Sequence, residues 1–148
     1  MIIEKEYLIN STTEKTWSFI SDIDKFKGCI PDVETYEQKD PKHFVVIARP
    51  SFAFLKSSVT MNWKISELRN NYGKLEISGK VIAGGFKVNA ELKAIKNKKN
   101  TLLTLKINGV MKGLLEAVPN SVIEGAGSII SDRIFECVRV KVENAKRE

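Results

Sequence analysis

Apolar and polar residues alternate along the middle of the chain, from about Val33 to Ile107. The clearest stretch has Ser58, Thr60, Asn62 and Lys64 on one face and Val59, Met61, Trp63 and Ile65 on the other. A period of two is typical of a strand that packs one face on a core and exposes the other. The pattern therefore predicts an antiparallel sheet with Met61 and Trp63 on its inner face.

Turn residues divide this region into successive strands, with turns predicted at residues 70–73, at Gly84-Gly85 and at residues 96–100. The inner-face positions that follow these turns are Leu75, Ile77 and Val81, then Phe86, Val88, Ala90, Leu92 and Ala94, then Leu103, Leu105 and Ile107. Earlier strands are predicted at Ile2–Ile9, 35–38 and 44–49, where Pro50 places the last at an edge, a strand end or a bulge. By parity, Tyr36 and Asn89 are exposed strand positions.

Helical signals flank the strand region. Ser11 followed by Glu14 matches a capping box, so we predict a short helix from there to about Asp22 and a second short helical segment over 24–28. After Pro119 the apolar residues recur every four positions, at Val122, Ala126, Ile130, Ile134 and Val138. This stripe predicts one amphipathic helix over about 119–145, within outer bounds of 118 and 146.

The order of elements predicts the architecture. One strand, two short helices, a run of antiparallel strands and one long helix give an α+β fold, in which the long helix covers the apolar face of a curved sheet. One helix cannot fill a wide concave sheet, so the remaining space is either plugged by aromatic residues such as Trp63 and Phe86 or left as a ligand cavity. Gly125 and Gly127 each cost about 1 kcal/mol in a helix. They fit either tolerated weakness or a close approach or space beneath the helix.

Composition places the chain among ordinary globular proteins. Its 148 residues predict a single domain, 1–148, and 43% hydrophobic with 28% charged residues exclude a disordered tail. No apolar run could span a bilayer and no secretion signal is seen, so a cytoplasmic location is predicted. The net charge of +6 favours anionic partners in general. A nucleic-acid partner is not expected, because the basic residues form no stripe with aromatic ones.

The residues that could carry chemistry are few. Cys29, Cys137 and His43 cannot complete a zinc site, and no phosphate-binding, zinc-protease or serine-hydrolase motif occurs. A disulfide between the cysteines is geometrically feasible but unnecessary in a reducing cytosol. His43 follows a turn and is expected to be exposed. We therefore expect no catalytic residue, no metal and no cofactor, and the interpretation leans towards a protein that is not an enzyme.

Two motifs near the N-terminus carry a resemblance to a known family. Trp17-Ser18-Phe19-Ile20-Ser21-Asp22 and Cys29-Ile30-Pro31-Asp32-Val33-Glu34 are similar to the opening of the CoxG-like proteins of carbon monoxide dehydrogenase, a branch of the START/polyketide cyclase (SRPBCC) helix-grip superfamily. Residues 48–56 and 113–119 resemble the same branch, so the resemblance covers essentially the whole chain. Asp32 stands where the family usually has glycine, which puts a turn with positive φ there in question.

The resemblance implies a helix-grip fold with a deep apolar cavity for lipid, sterol, quinone-like or polyketide molecules, and service at a membrane beside a molybdenum hydroxylase. It implies no shared catalytic residues. The leading hypothesis is therefore a binding or carrier protein for a small, largely apolar ligand. The alternative is a cyclase/aromatase-like or hydrolase enzyme, in which Arg49, Tyr36 or Asn89 would position a substrate; Arg49 also fits an ordinary strand-edge residue.

The candidate ligand-binding residues come from the inner strand faces, the long helix and three apolar loop segments at 52–55, 83–86 and 113–118. They are Met61, Trp63, Ile77, Phe86, Val88, Leu105, Ile107, Phe52, Phe54, Leu114, Leu115, Val122, Ala126 and Ile130. The loop members either plug the end of the sheet or form a flexible gate that touches a membrane during loading. The expected partners are a small apolar molecule, a peripheral membrane surface and a hydroxylase complex.

Overall fold

Within residues 1–82 and 84–145, which a computed structural model of the protein describes, the chain forms seven strands, three α-helices and two 3-10 turns. The strands are β1 (Ile2–Ile9), β2 (Val33–Asp40), β3 (His43–Ala48), β4 (Val59–Arg69), β5 (Tyr72–Val81), β6 (Gly84–Asn97) and β7 (Asn100–Gly113). The helices are α1 (Thr13–Ile20), α2 (Ile23–Phe26) and α3 (Asn120–Ala145), and the 3-10 turns are Lys27–Cys29 and Leu114–Ala117. The predicted α+β class is confirmed.

The strands form one antiparallel sheet in the order β1-β7-β6-β5-β4-β3-β2. Each strand from β2 to β7 pairs with its neighbour in sequence, and β1 returns to pair with β7, so the predicted antiparallel meander is confirmed. The register places Phe44, Trp63, Ile77 and Val88 opposite one another on successive strands. Trp63 is buried while Asn62 and Lys64 are exposed, so the inner face is the one that parity predicts.

The long C-terminal helix packs against this sheet, as the four-residue apolar stripe predicts. It begins at Asn120, directly after Pro119, and the described part ends at Ala145. In its second half Phe135, Val138 and Val142 are buried in one cluster with Ile9 and Leu103 of the sheet. The outer bound predicted at position 146 lies outside the described residues.

The cap of α1 differs from the prediction by one position. The Thr12 hydroxyl accepts a hydrogen bond from the Lys15 N–H at 3.2 Å and caps the helix. Ser11 is fully buried instead, and its hydroxyl has no hydrogen-bond partner in the described part of the chain. Both residue types are good helix caps, so the sequence pattern could not distinguish which of the two neighbours does so.

The predicted Gly84-Gly85 turn is wrong, because both glycines lie within β6 and the chain turns before them. A Cβ atom on Gly85 would lie 2.6 Å from the carbonyl oxygen of Gly79 on β5, so these glycines permit a close approach of two strands. Ile82 lies at the turn, and position 83 lies outside the described residues.

The segment after α2 is fastened to α3 at two points. Cys29 and Cys137 form a disulfide, with Cα atoms 5.5 Å apart, although a reducing cytosol would not favour one. Asp32 keeps the questioned positive φ, at 60°, and its carboxylate accepts hydrogen bonds of 2.8 and 3.3 Å from the Arg133 guanidinium. Because positions 133 and 137 are four residues apart, both links lie on one face of α3.

Candidate functional site

A cavity of about 340 Å³ lies between the inner face of the sheet and the helices. The sheet side is formed by inward-facing residues of strands β3 to β7, and the opposite side by α1, α2 and the first half of α3. Its wall is almost entirely apolar. This volume falls in the usual range for small-molecule sites, and such a wall favours an apolar guest over a charged one.

The cavity forms because the two halves of α3 meet the sheet differently. The second half is buried in the continuous core described above. In the first half Ala126 and Gly127 present little side chain, and both line the cavity together with Ile130. A Cβ on Gly127 would overlap the Ile3 side chain, so the helix approaches β1 closely at that point. The small residues thus bring the backbone near one edge of the sheet while leaving space over its centre.

A glycine on β5 shapes the sheet side of the cavity. Gly79 pairs with Phe86 on β6, and a side chain at position 79 would overlap the Phe86 ring. The ring therefore occupies the space above Gly79 and lines the cavity. A larger residue at position 79 would have to displace it.

The structure brings most of the predicted site residues together. Of those candidates, the ones that line the cavity are Met61, Trp63, Ile77, Phe86, Val88, Leu105, Ile107, Phe52, Phe54, Leu115, Ala126 and Ile130. Leu114 and Val122 do not line it; their exposed fractions are 71% and 44%. Val122 shares the four-residue stripe with Ala126, but it lies in the first turn of α3, where the helix faces solvent. Contact of the lining residues with a ligand stays a prediction.

Other wall residues were not among the candidates. They include Trp17, Ile20, Phe26 and Ile30 from the N-terminal helical region, Phe44 from β3, and Leu75, Ala90 and Leu92 from the inner faces of β5 and β6. Strand parity already put the last three on the inner face, so they could have been included. The helical-region residues could not be identified, because nothing local in the sequence shows how α1 and α2 close over the sheet.

Most polar groups of the wall already have protein partners. The Ser21 hydroxyl donates to the Trp17 carbonyl at 2.7 Å, and the Ser131 hydroxyl donates to the Gly127 carbonyl at 2.8 Å. Asp32 is paired with Arg133. Glu67 accepts from Arg69 at 2.9 Å, and Lys74 is exposed at the neighbouring end of β5. The buried indole N–H of Trp63, by contrast, has no hydrogen-bond partner among the described residues.

The three polar residues considered for an enzymatic role lie outside the wall. Arg49 is exposed and pairs with Glu34 at 3.6 Å, and Asn89 is exposed on β6. The expectation that Tyr36 is exposed is wrong: its hydroxyl is buried, with no partner within residues 1–82 and 84–145, and its ring packs 5.2 Å from that of Phe44. Burial first, and the Asp24 charge second, raise the pKa of the Tyr36 hydroxyl above its ordinary value.

One rim of the cavity is built from the predicted loop segments. The rings of Phe52 and Phe54 stack with centroids 5.7 Å apart, and both line the cavity. The turn between them closes with a 3.0 Å hydrogen bond from the Leu55 N–H to the Phe52 carbonyl. Leu115 is buried beneath this rim, whereas its neighbour Leu114 points outward. Gly113, with φ 67°, supplies the left-handed backbone that reverses the chain between β7 and these residues.

A polar cluster on the other side of α3 fastens the helix to β1. The Tyr7 hydroxyl donates to Asp132 at 2.8 Å, and the Lys5 ammonium donates to Ser128 at 2.8 Å while pairing with Asp132 at 3.1 Å. Burial first, and Asp132 second, raise the pKa of Tyr7 well above its ordinary value, so this hydroxyl stays a donor. An ammonium held by a carboxylate cannot take a proton from Ser128, so the pair is structural and not a nucleophile with its base.

His43 is half-buried on β3 and not fully exposed as expected; its Nε2 lies 3.3 Å from the Asn62 Oδ1. Both cysteine sulfurs are consumed by the disulfide. Over the described residues, no group of three or more histidine, cysteine, aspartate or glutamate side chains is placed to hold a metal ion. In the same part of the chain, none of the helices has the length and hydropathy that a membrane span requires.

Comparison of the whole fold defines the class. A crystal structure of a protein from Geobacillus kaustophilus superposes with a TM-score of 0.90 at 15% identity and covers 98% of this chain and 97% of its own. A START superfamily protein from Mycobacterium smegmatis gives 0.73 at 12% identity over 97% and 98% of the two chains. The Zhui aromatase/cyclase from Streptomyces sp. R1128 gives 0.70 at 15% identity over 97% and 93%. The protein therefore has the helix-grip fold of the START superfamily, with an apolar cavity at its centre.

The family follows from the sequence itself. Residues 6–143 match the model of the carbon monoxide dehydrogenase CoxG family. The chain belongs to this family, as the N-terminal motifs predict. No curated protein matches it.

Proposed function

We propose that the protein binds or carries a small, largely apolar molecule, of lipid, quinone or polyketide type, in the central cavity. The observation that carries the proposal is the apolar wall around about 340 Å³ of space. Closing an apolar molecule inside this wall would remove its surface and that of the wall from water, at about 25 cal/mol per Å². Membership of the CoxG family and the START fold support the same role. We further propose that residues 1–148 act as one unit.

Extraction of the purified protein, followed by mass spectrometry, tests this role. We expect an apolar compound to co-purify in stoichiometric amount. The matched variants are Ala126→Leu, which fills the cavity, and Val122→Leu, which adds the same type of side chain outside it. The first should lose the compound and the second should retain it. Equal retention by both variants, or no compound in any of them, would contradict the proposal.

We also propose that the rim touches a membrane surface when the ligand is exchanged. Leu114 and Ile82 are 71% and 93% exposed, and they follow strands β7 and β5, whose ends lie next to β6. Lys80 and Lys112 both lie opposite Gly85, so positive charge accompanies these apolar side chains. Exposed apolar residues beside basic ones are the combination that binds anionic bilayers. The cytoplasmic, membrane-peripheral location stays part of this proposal.

Co-sedimentation with anionic and neutral vesicles tests the rim. Leu114→Ser and Ile82→Ser should each reduce binding to anionic vesicles several-fold. Ile129→Ser serves as the control, because Ile129 is 54% exposed on α3 and is not a rim residue. An equal loss in all three variants would show that surface hydropathy in general, and not the rim, drives the interaction.

The family suggests a partner as well. We propose that the protein is accessory to a molybdenum hydroxylase of carbon monoxide dehydrogenase type, a role supported by the family match over residues 6–143. Co-elution of the two proteins in size-exclusion chromatography is the expected result. A cyclase/aromatase-like or hydrolase activity has less support, because Arg49, Tyr36 and Asn89 lie outside the cavity wall.

A further inference from the structure

We propose that the indole N–H of Trp63 is the hydrogen-bond donor that makes the cavity select apolar ligands carrying a carbonyl oxygen. The inference rests on the proposed binding function and adds the ligand's chemical class to it. Trp63 lies on the inner face of β4, lines the cavity and is 6% exposed. Its Nε1 atom is fully buried and has no hydrogen-bond partner in the described part of the chain.

The surroundings of Trp63 offer the N–H no acceptor of their own. Its neighbours across the sheet are Phe44 on β3 and Ile77 on β5, and the Phe44 ring centroid lies 5.5 Å away. Neither side chain has an oxygen. An unpaired buried donor is unfavourable, and buried N–H groups in native proteins nearly always have a partner. The acceptor is therefore to be sought in whatever fills the cavity.

The other polar groups of the wall do not compete for this role. Ser21 and Ser131 donate to backbone carbonyls of their own helices or adjoining turn, and Asp32 is held by Arg133. Glu67 and Lys74 lie near the turn between β4 and β5, at the end of the strands. Trp63 thus places a single donor in the apolar middle of the sheet, where a hydrogen bond is stronger than it is near water.

An indole N–H donates and cannot accept, so its selectivity has a definite direction. A carbonyl oxygen satisfies it, whereas a pure hydrocarbon leaves it unpaired. Sites built to pair one polar group discriminate against ligands that lack the complement, because the protein group is then left unsatisfied. The ligand class is accordingly an apolar skeleton with a carbonyl oxygen positioned at Trp63.

Two probes of the same shape test this directly. 2-Acetylnaphthalene and 2-isopropenylnaphthalene differ by a C=O group in place of C=CH₂, and equilibrium dialysis gives the affinity of each for the parent and for Trp63→Phe. The variant should weaken the ketone about fivefold relative to the hydrocarbon, a factor that corresponds to about 1 kcal/mol. The space left by the smaller ring affects both probes alike and cancels in this ratio.

The infrared C=O stretch of the bound ketone gives a second measure. It should lie at lower frequency in the parent than in Trp63→Phe, because a hydrogen bond weakens the carbonyl bond. Where Trp63→Phe fails to fold, 3-benzothienylalanine at position 63 replaces the N–H by sulfur and keeps the ring shape.

Trp17→Phe is the matched control, since Trp17 is the other tryptophan of the wall and is equally buried at 6%. It should alter both probes by the same factor and leave the C=O stretch unchanged. Equal effects of Trp63→Phe on the two probes, or a ketone-specific effect of Trp17→Phe alone, would overturn the assignment of the donor. If neither probe binds the parent, the proposed function itself fails.

Discussion

The second half of α3 is enclosed in a continuous core, whereas the first half faces the cavity. Val138 is fully buried against Ile9 and Leu103, but Ile130, two turns earlier on the same helix, is half-buried and lines the cavity. The disulfide at Cys137 also belongs to the second half, so the covalent link reinforces the part that is already packed. One helix thus contains a region organised for stability and a region organised for binding.

The difference shows how a small protein can keep a cavity without losing its fold. Unfilled space forfeits contacts between neighbouring atoms, so a cavity lowers stability in proportion to its size. The packed half compensates because its core cluster, its disulfide and the Asp32–Arg133 pair lie together at one end. Mutations of the same kind should therefore have different effects in the two halves.

Aspartate in place of a buried apolar residue should have the largest effect. We expect Val138→Asp to lower the free energy of unfolding by about 4 kcal/mol or more, because it buries a charge with no partner. Ile130→Asp should cost about half as much, since the cavity gives its carboxylate room to hydrate. Urea unfolding followed by circular dichroism measures both. Equal losses would mean that the first half of α3 is packed as tightly as the second.

Removal of the disulfide should have the next largest effect. Cys137→Ala opens a link between residues that are 108 apart in sequence, and we expect a loss of about 2–4 kcal/mol in the free energy of unfolding. Addition of a dithiol reductant should destabilise the parent by a similar amount and leave Cys137→Ala unchanged. A parent that is indifferent to reductant, with complete reduction verified by thiol titration, would show that the link contributes nothing to the packed half.

Much of this fold could be predicted from sequence, because its signals are local and periodic. The alternation through Met61 and Trp63 specifies one face of the sheet, and the four-residue stripe through Ile130 and Val138 specifies the long helix. A strand register that slipped by one residue would expose the entire inner face, which makes parity a strong constraint. The same constraint placed most candidate residues on the cavity wall.

The remaining features depend on contacts between distant parts of the chain. The disulfide required Cys29 to meet Cys137, and compartment reasoning argued against it, although the fold brings their Cα atoms to 5.5 Å. Gly85 was interpreted as a turn residue because glycine is common in turns, but here it admits a neighbouring strand. Tyr36 follows the parity of an exposed position, yet it packs beside Phe44 because α2 covers that end of β2 and β3.

Two buried alanines give a matched test of packing at smaller cost. Ala94 belongs to the core cluster and Ala126 lines the cavity, with exposed fractions of 7% and 9%. We expect Ala94→Leu to cost about 1–3 kcal/mol, because a filled core cannot accept a much larger side chain without strain. Ala126→Leu should leave the free energy of unfolding unchanged or raise it slightly. Urea midpoints compare the two, and a similar loss in both variants would contradict an open cavity beneath Ala126.

The smallest effects should come from the two glycines in the first half of α3. No atom outside the helix's own backbone lies within 4 Å of the position that a Cβ would take at Gly125, so Gly125→Ala should raise the free energy of unfolding by about 1 kcal/mol through helix propensity alone. At Gly127 the new methyl group would overlap the Ile3 side chain, which must rotate away from its buried position. Gly127→Ala should therefore gain less than Gly125→Ala or lose stability. The double variant Gly127→Ala with Ile3→Val shortens the obstructing side chain and should recover part of the difference. Equal urea midpoints for the two single variants would mean that α3 does not approach β1 at Gly127, and the space beneath the helix would then need another explanation.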